Sequence, residues 1–193
     1  MPVAPSFAAP STAPLAPVRM RLRPTMQSDL GYVLSLEQDP ANLPFITPWE
    51  RTQHEAAIRF PDFRHFIIEA GPGLDAAGFA IVIGCRNQQR SLELKRMVLQ
   101  AKGQGLGRAA LRMVKKIAFD DLHAHRLWLD VKGHNTRAQA LYASEGFVQE
   151  GVLREAVKAA SGFDSLVLMA MLEHEFAQRR ANALEAMPYG VAA

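Results

Sequence analysis

Apolar side chains alternate with arginines at Val18, Met20 and Leu22, and the run meets Pro24. That period of two predicts a half-buried strand that stops at the proline. Asp29 to Gln38 and Glu50 to Phe60 carry helical spacing, with the Pro-rich loop NLPFITPW between them. Three apolar segments follow: FRHFIIEA, AGFAIVIGC and SLELKRMVL. A turn through Gly71-Pro72-Gly73 parts the first two, and a turn from Asn87 to Arg90 parts the second pair. Strands joined by such short turns form an antiparallel meander.

The period then changes. From Leu106, apolar positions recur at Ala109, Ala110, Met113, Val114, Ile117 and Ala118, with Arg108, Arg112, Lys115 and Lys116 opposite. This is one amphipathic helix. The strand HRLWLDV, a short helix from Thr136 to Ser144 and the strand FVQEGVLREAV come next. DSLVLMAMLEH has an uninterrupted apolar centre, as expected of a strand covered on both faces. The sum is an α+β domain: a mixed, mostly antiparallel sheet with helices on both faces. The domain is expected over residues 18–176. A Pro/Ala-rich arm without charged side chains precedes it at 1–17, and a tail at 177–193 starts helix-like and then frays.

Composition narrows the function only slightly. The 193 residues carry a formal net charge of +3 spread along the chain. That gives a mild attraction to anions and no basic patch of the kind nucleic acid requires. The longest apolar runs are too short to cross a bilayer, so no membrane partner is expected. The single cysteine, Cys85, excludes an intramolecular disulfide and suits a reducing, cytoplasmic setting. His123 and His125 lack metal-ligand spacing, and His54, His65, His134 and His174 are scattered, so no metal is expected.

The segment KGQGLGR is harder to dismiss. Gly103, Gly105 and Gly107 open the long helix although each Gly costs ~1 kcal/mol relative to Ala inside one. Bare backbone at a helix start brings N–H groups and the positive end of the helix dipole to one point, which suits a phosphate or pyrophosphate. The spacing matches neither a dinucleotide fingerprint nor a P-loop. A ligand-free turn and a nucleotide-phosphate site on an unrelated fold remain open from the glycines alone.

Two blocks in order are more specific. Lys102-Gly103-Gln104-Gly105-Leu106-Gly107 resembles the [RQ]-x-x-G-x-[GA] loop of the Gcn5-related N-acetyltransferases, with Lys for the usual Arg or Gln. Asn135, Ala138, Leu141, Tyr142, Gly146 and Phe147 match that family's N-x-x-A-x-x-L-Y-x-x-x-G-F block in full. The likeness runs over roughly 18–176. It is strongest to the branch of ribosomal-protein N-terminal and spermidine acetyltransferases.

The resemblance implies an acyl-CoA N-acyltransferase fold and transfer of acetyl from acetyl-CoA to a primary amine by direct attack in a ternary complex. It places the thioester beside Met97, Val98 and Leu99, and the diphosphate over Gln104 to Arg108. Asn135 caps its helix and contacts the cofactor. Tyr142 is the expected acid for the departing thiolate, since a phenol of pKa near ~10 stays protonated at neutral pH. An amine of pKa near ~10.4 is only about one part in two thousand nucleophilic at neutral pH, so a base is useful. Glu93 is the candidate; Glu37 and Glu50 are further carboxylates on the expected acceptor side. Trp49 either lines the acceptor pocket or caps the core. The acceptor is a protein N-terminus, a polyamine or another small amine, and family members often dimerise. A non-catalytic acyl-CoA-binding regulatory domain is the alternative from another class.

Overall fold

The computed structural model describes residues 19–186. The arm at 1–17, Val18 and residues 187–193 of the expected tail lie outside the described residues.

The elements follow the apolar periodicity closely. β1 is Met20–Pro24, α1 Leu30–Glu37 after a 3-10 turn, and α2 Arg51–Arg59. β2 (Phe63–Ala70), β3 (Asp75–Ile83) and β4 (Ser91–Leu99) form the expected meander. α3 is Leu106–Lys116, β5 Arg126–Lys132 and α4 Thr136–Ser144. β6 (Val148–Lys158) and β7 (Phe163–Leu172) form a hairpin, and α5 is Glu173–Ala181. Local chemistry sets several starts. The Glu50 amide donates to Gln53 Oε1 at 2.8 Å ahead of α2, and Asn135 Oδ1 accepts from the Ala138 amide at 3.2 Å in α4. The helical ladder at the end of α3 widens to a π turn over Ile117–Asp121, and Phe119 there stacks on Phe176 of α5 at 4.8 Å. α5 therefore carries the packed domain past residue 176.

One seven-stranded sheet results, ordered β1-β2-β3-β4-β5-β7-β6. Only the central pair, β4 with β5, is parallel. One face packs Leu111, Val114, Leu127, Leu129 and Phe147 into the larger core under α3, α4 and α5. On the other, Val33 and Leu36 of α1 close over Ile67, Phe79, Ile81 and Val98. Helices thus cover both faces, and the parallel seam lies at the centre.

Candidate active site

The seam opens because β4 and β5 pair only at Ser91–Arg126, Leu92–Leu127 and Glu93–Trp128. Arg96 then pairs with Ile81 and Leu94 with Val82, so Lys95 is the extra residue of a bulge in β4. A bulge bends its strand, and beyond it the two strands part. The gap is a cavity of about 680 Å³, roughly the size that holds a cofactor-sized ligand. Its walls are the 42–49 loop, β4 from Leu94 to Leu99, the glycine loop, β5 from Asp130 to Lys132, and α4.

The glycine loop has the geometry that its composition requires. Gly103 (φ 82°) and Gly105 (φ 76°) are left-handed, and Gly105 is the residue from which α3 starts. Gly107 serves a different need: a Cβ there would meet Leu141 and Leu99, each at 3.4 Å. Arg108 and Ala109 amides return to the Gly105 carbonyl, whereas those of Leu106 and Gly107 find no protein acceptor among the described residues. Space above Gly103 is open. Bare left-handed backbone and unpaired amides beside a large cavity fit a diphosphate.

Met97, Val98, Leu99, Lys102, Gly103, Gly105, Leu106, Gly107, Arg108, Asn135 and Tyr142 all line the cavity. Gln104 and Glu93 do not. Lys102 Nζ is engaged with the Ala41 carbonyl at 2.9 Å, so it ties the glycine loop to the opposite wall. The Arg108 side chain lines the cavity and is anchored from one side. It pairs with Glu145, a fully buried carboxylate that also accepts from Arg112 Nε at 2.8 Å and Lys115 Nζ at 3.0 Å. Burial pushes Glu145 up, but these cations outweigh it and bring the pKa down to about 2.

Tyr142 packs its ring against Phe147 at 5.9 Å, and its hydroxyl has no hydrogen-bond partner among the described residues. Burial, with the charge of Asp130 added, pushes it up to about 12, which keeps it a proton donor. Asp130 is the residue that sequence reasoning missed. It lines the cavity from β5, and its carboxylate makes no ion pair or hydrogen bond among the described residues. Glu93 sits behind the wall, joined to Lys95 at 3.1 Å; burial raises its pKa, Lys95 opposes this and Asp130 adds to it.

The 42–49 loop is fixed from below. Glu37 is fully buried and accepts from the Trp49 amide and from Arg96, whose Nη2 also donates to the Thr47 carbonyl at 2.8 Å. Burial pushes Glu37 up, but His54, Arg96 and the Trp49 amide together hold it below the usual carboxylate range. His54 Nε2 lies 3.4 Å from Glu37, and Nδ1 lies 3.0 Å from His65, which reaches Thr25 at 2.9 Å. Burial, then the neighbouring His54, pushes His65 down to about 4. Trp49 lines the cavity and also packs on the smaller core. Glu50 is exposed at the start of α2. No cluster of metal-ligating side chains occurs among the described residues, and no helix there is long and apolar enough to cross a membrane.

Comparison with known proteins adds the family. Residues 19–148 match the model of the acetyltransferase (GNAT) domain. Uncharacterized N-acetyltransferases of Mycobacterium bovis and Mycobacterium tuberculosis are each 37% identical over 101 residues, covering 50% of this chain and 64% of theirs. The chain thus spans less than two thirds of the length of these curated relatives. Among solved structures, spermidine N-acetyltransferase from Vibrio cholerae in complex with CoA and spermine is similar, with a TM-score of 0.75 and 22% identity over 82% of this chain and 98% of that one. A dodecameric structure of the Vibrio cholerae enzyme gives 0.72 at 22% identity over 83% and 97%. At that identity the likeness speaks for the fold alone. With the family model covering most of the described chain, a split central seam and a glycine-led helix beside it, this chain belongs to the GNAT acetyltransferase family.

Proposed function

We propose that the protein transfers acetyl from acetyl-CoA to a primary amine by direct attack within a ternary complex. One observation carries this reading: the Tyr142 hydroxyl and the Asp130 carboxylate, both without a hydrogen-bond or ion-pair partner among the described residues, share one cavity with the glycine loop. The cofactor would supply an acyl group activated as a thioester. The amides of Leu106 and Gly107 would hold its diphosphate, with Gly103 and Gly105 leaving room for close approach. Freed backbone of β4 around Met97 to Leu99 would face the thioester oxygen, where a donor is worth most. Tyr142 would give its proton to the departing sulfur, and Asp130 would accept one from the incoming ammonium, directly or through water. Glu93 stands one layer behind and tunes this charge through Lys95. Cys85 lies in the meander away from the cavity lining, so no covalent enzyme intermediate is invoked.

The acceptor is an amine, and a protein N-terminus is favoured within this reading because the cavity wall at Phe45 to Trp49 suits the body of a first residue. A homodimer belongs to the same reading. Edge strand β6 leaves Val148, Val152 and Leu153 exposed, which sedimentation would check. The decisive experiment is an amine panel with acetyl-CoA, read by free-thiol release, beside calorimetry with coenzyme A. Coenzyme A binding without thiol release for any amine would support the regulatory-domain alternative instead.

A further inference from the structure

The acceptor class can be narrowed by counting charge on the cavity wall; the count rests on the cavity being the acyl-CoA and amine site. Six basic side chains line it: Lys95, Arg96, Lys102, Arg108, Lys132 and Arg137. Asp130 is the only carboxylate that does so among the described residues. Four of the cations have a carboxylate behind them, and the one behind Arg108, Glu145, is shared with Arg112 and Lys115. Lys95 pairs with Glu93 at 3.1 Å, Lys132 with Asp164 at 3.1 Å, Arg96 with Glu37 and Arg108 with Glu145. None of those four carboxylates reaches the cavity surface. Lys102 and Arg137 are left over, beside the glycine loop and the start of α4, where an anionic cofactor would use them.

The cavity therefore offers one carboxylate, Asp130, that has no ion-pair partner among the described residues. The loop before α2 contributes Phe45, Ile46, Pro48 and Trp49 to the wall, together with the uncharged polar Asn42 and Thr47, and α2 adds Gln53. This wall is built rigidly. Pro44 holds its carbonyl 3.0 Å from His134 Nε2, Asn42 Nδ2 donates to the Leu36 carbonyl at 2.8 Å, and Glu37 grips the Trp49 amide. A preformed apolar wall rewards an apolar substituent for each methylene it buries. A second or third ammonium would meet cations or apolar surface, and an unpaired charge there is costly.

We infer that the acceptor is a monocationic primary amine on an apolar or aromatic body, with Asp130 the sole counter-charge for its ammonium, and that polyamines are poor acceptors. The solved relative from Vibrio cholerae is a spermidine N-acetyltransferase, so this inference assigns the present chain an acceptor of another charge on a shared fold.

The test uses the purified full chain with acetyl-CoA and reads thiol release. The acceptors are 2-phenylethylamine, 3-methylbutylamine, a tripeptide amide with an apolar first residue, and spermidine. The apolar monoamines or the peptide should exceed spermidine in kcat/KM by about tenfold or more. The order among them tells a small amine from a peptide N-terminus. A second arm adds a charge. Gln53 lines the cavity and caps α2 through its side-chain oxygen, which Glu retains. Gln53→Glu should narrow the gap by about fivefold, the worth of one modest ion pair. Spermidine used as well as the monoamines, or a Gln53→Glu variant that leaves the ratio unchanged, overturns the inference while the transferase reading stands. Coenzyme A bound with no amine turned over overturns the transferase reading, and this inference with it.

Discussion

Glu145 offers the sharpest quantitative test of how the site is held. It ends α4, three residues after Tyr142, and binds Arg108 and Arg112 of the glycine-led helix together with Lys115. One carboxylate thus fixes the spacing between the glycine loop and the proposed acid. Lys115 is fully buried, with Glu145 and Glu185 as its counter-charges. Replacing Glu145 by Gln leaves that ammonium under-compensated, and breaking a buried pair from one side costs about 3–5 kcal/mol. Proton linkage gives a similar figure. A fall in pKa from 4.5 to about 2 corresponds to roughly 3 kcal/mol. The lowered pKa of Lys115 says that its desolvation is not fully repaid, so the lower end of the range is expected.

The expected loss is therefore about 3 kcal/mol, or a Tm drop of about 6–12 °C for a chain of this size. Coenzyme A affinity should fall as well, because Arg108 and α3 lose their anchor. The sign with pH follows from the depressed carboxylate. Its stabilisation is complete above the unfolded value and is lost as pH falls from about 4.5 toward 2. Urea unfolding at about pH 6 and about pH 3 should show that loss in the native protein and a smaller one in Glu145→Gln. Pairing Glu145→Leu with Lys115→Met removes the stranded charge and should recover more than half of the deficit. A Glu145→Gln variant that melts within about 2 °C of the native protein, or a double variant worse than the single, refutes the reasoning.

Other expectations follow from the same structure. Tyr142→Phe should bind coenzyme A normally and lose about 10²-fold or more in kcat; unchanged turnover removes the hydroxyl from the chemistry. Asp130→Asn should lower kcat/KM for the amine with little change in coenzyme A affinity measured by calorimetry, and parallel loss of both would assign it a structural role instead. Gly105→Ala forces a side chain into left-handed backbone at the start of α3, costing about 1–2 kcal/mol and raising the coenzyme A Kd more than the amine KM. His65 is held near 4 against an ordinary value of 6.5, so its contribution is present above about pH 6.5 and is lost as pH falls toward 4. His65→Gln should flatten unfolding free energy across that window.

The apolar runs FRHFIIEA, AGFAIVIGC and SLELKRMVL, parted by short Gly- and Asn-containing turns, made the meander legible, because runs and turns of that kind declare themselves in local sequence. The glycine loop was legible for a related reason: helix-weakening residues at a helix start have few structural excuses. Asp130 was not. In HRLWLDV it is one polar position in an alternating strand, and such positions ordinarily face solvent. Only the parting of β4 from β5 turns that position into a cavity wall, and the parting depends on the bulge at Lys95, which is a property of two strands together. Glu145 was hidden in the same way, and so was the burial of Glu37, which sequence reasoning offers as an acceptor-side carboxylate. Each sits near a helix end with no local sign of burial, and each is enclosed by cations that lie 30 or more residues away in sequence.

The enclosed carboxylates are a geometric device more than a source of stability. Buried ion pairs are weak evidence for net stabilisation, since desolvation offsets most of their attraction. Apolar side chains of like volume would hold the two cores as well. What apolar packing lacks is direction. Glu37 ties α1 to Arg96 of β4 and to the Trp49 amide, and so sets the acceptor wall against the strand that faces the thioester in the proposed complex. Glu145 ties the end of α4 to the first two turns of α3, and so sets Tyr142 against the glycine loop. The two clusters lie on opposite faces of the sheet, one beneath each wall of the seam. Each consumes its carboxylates completely, which leaves the charge of Asp130 unshared in the cavity between them.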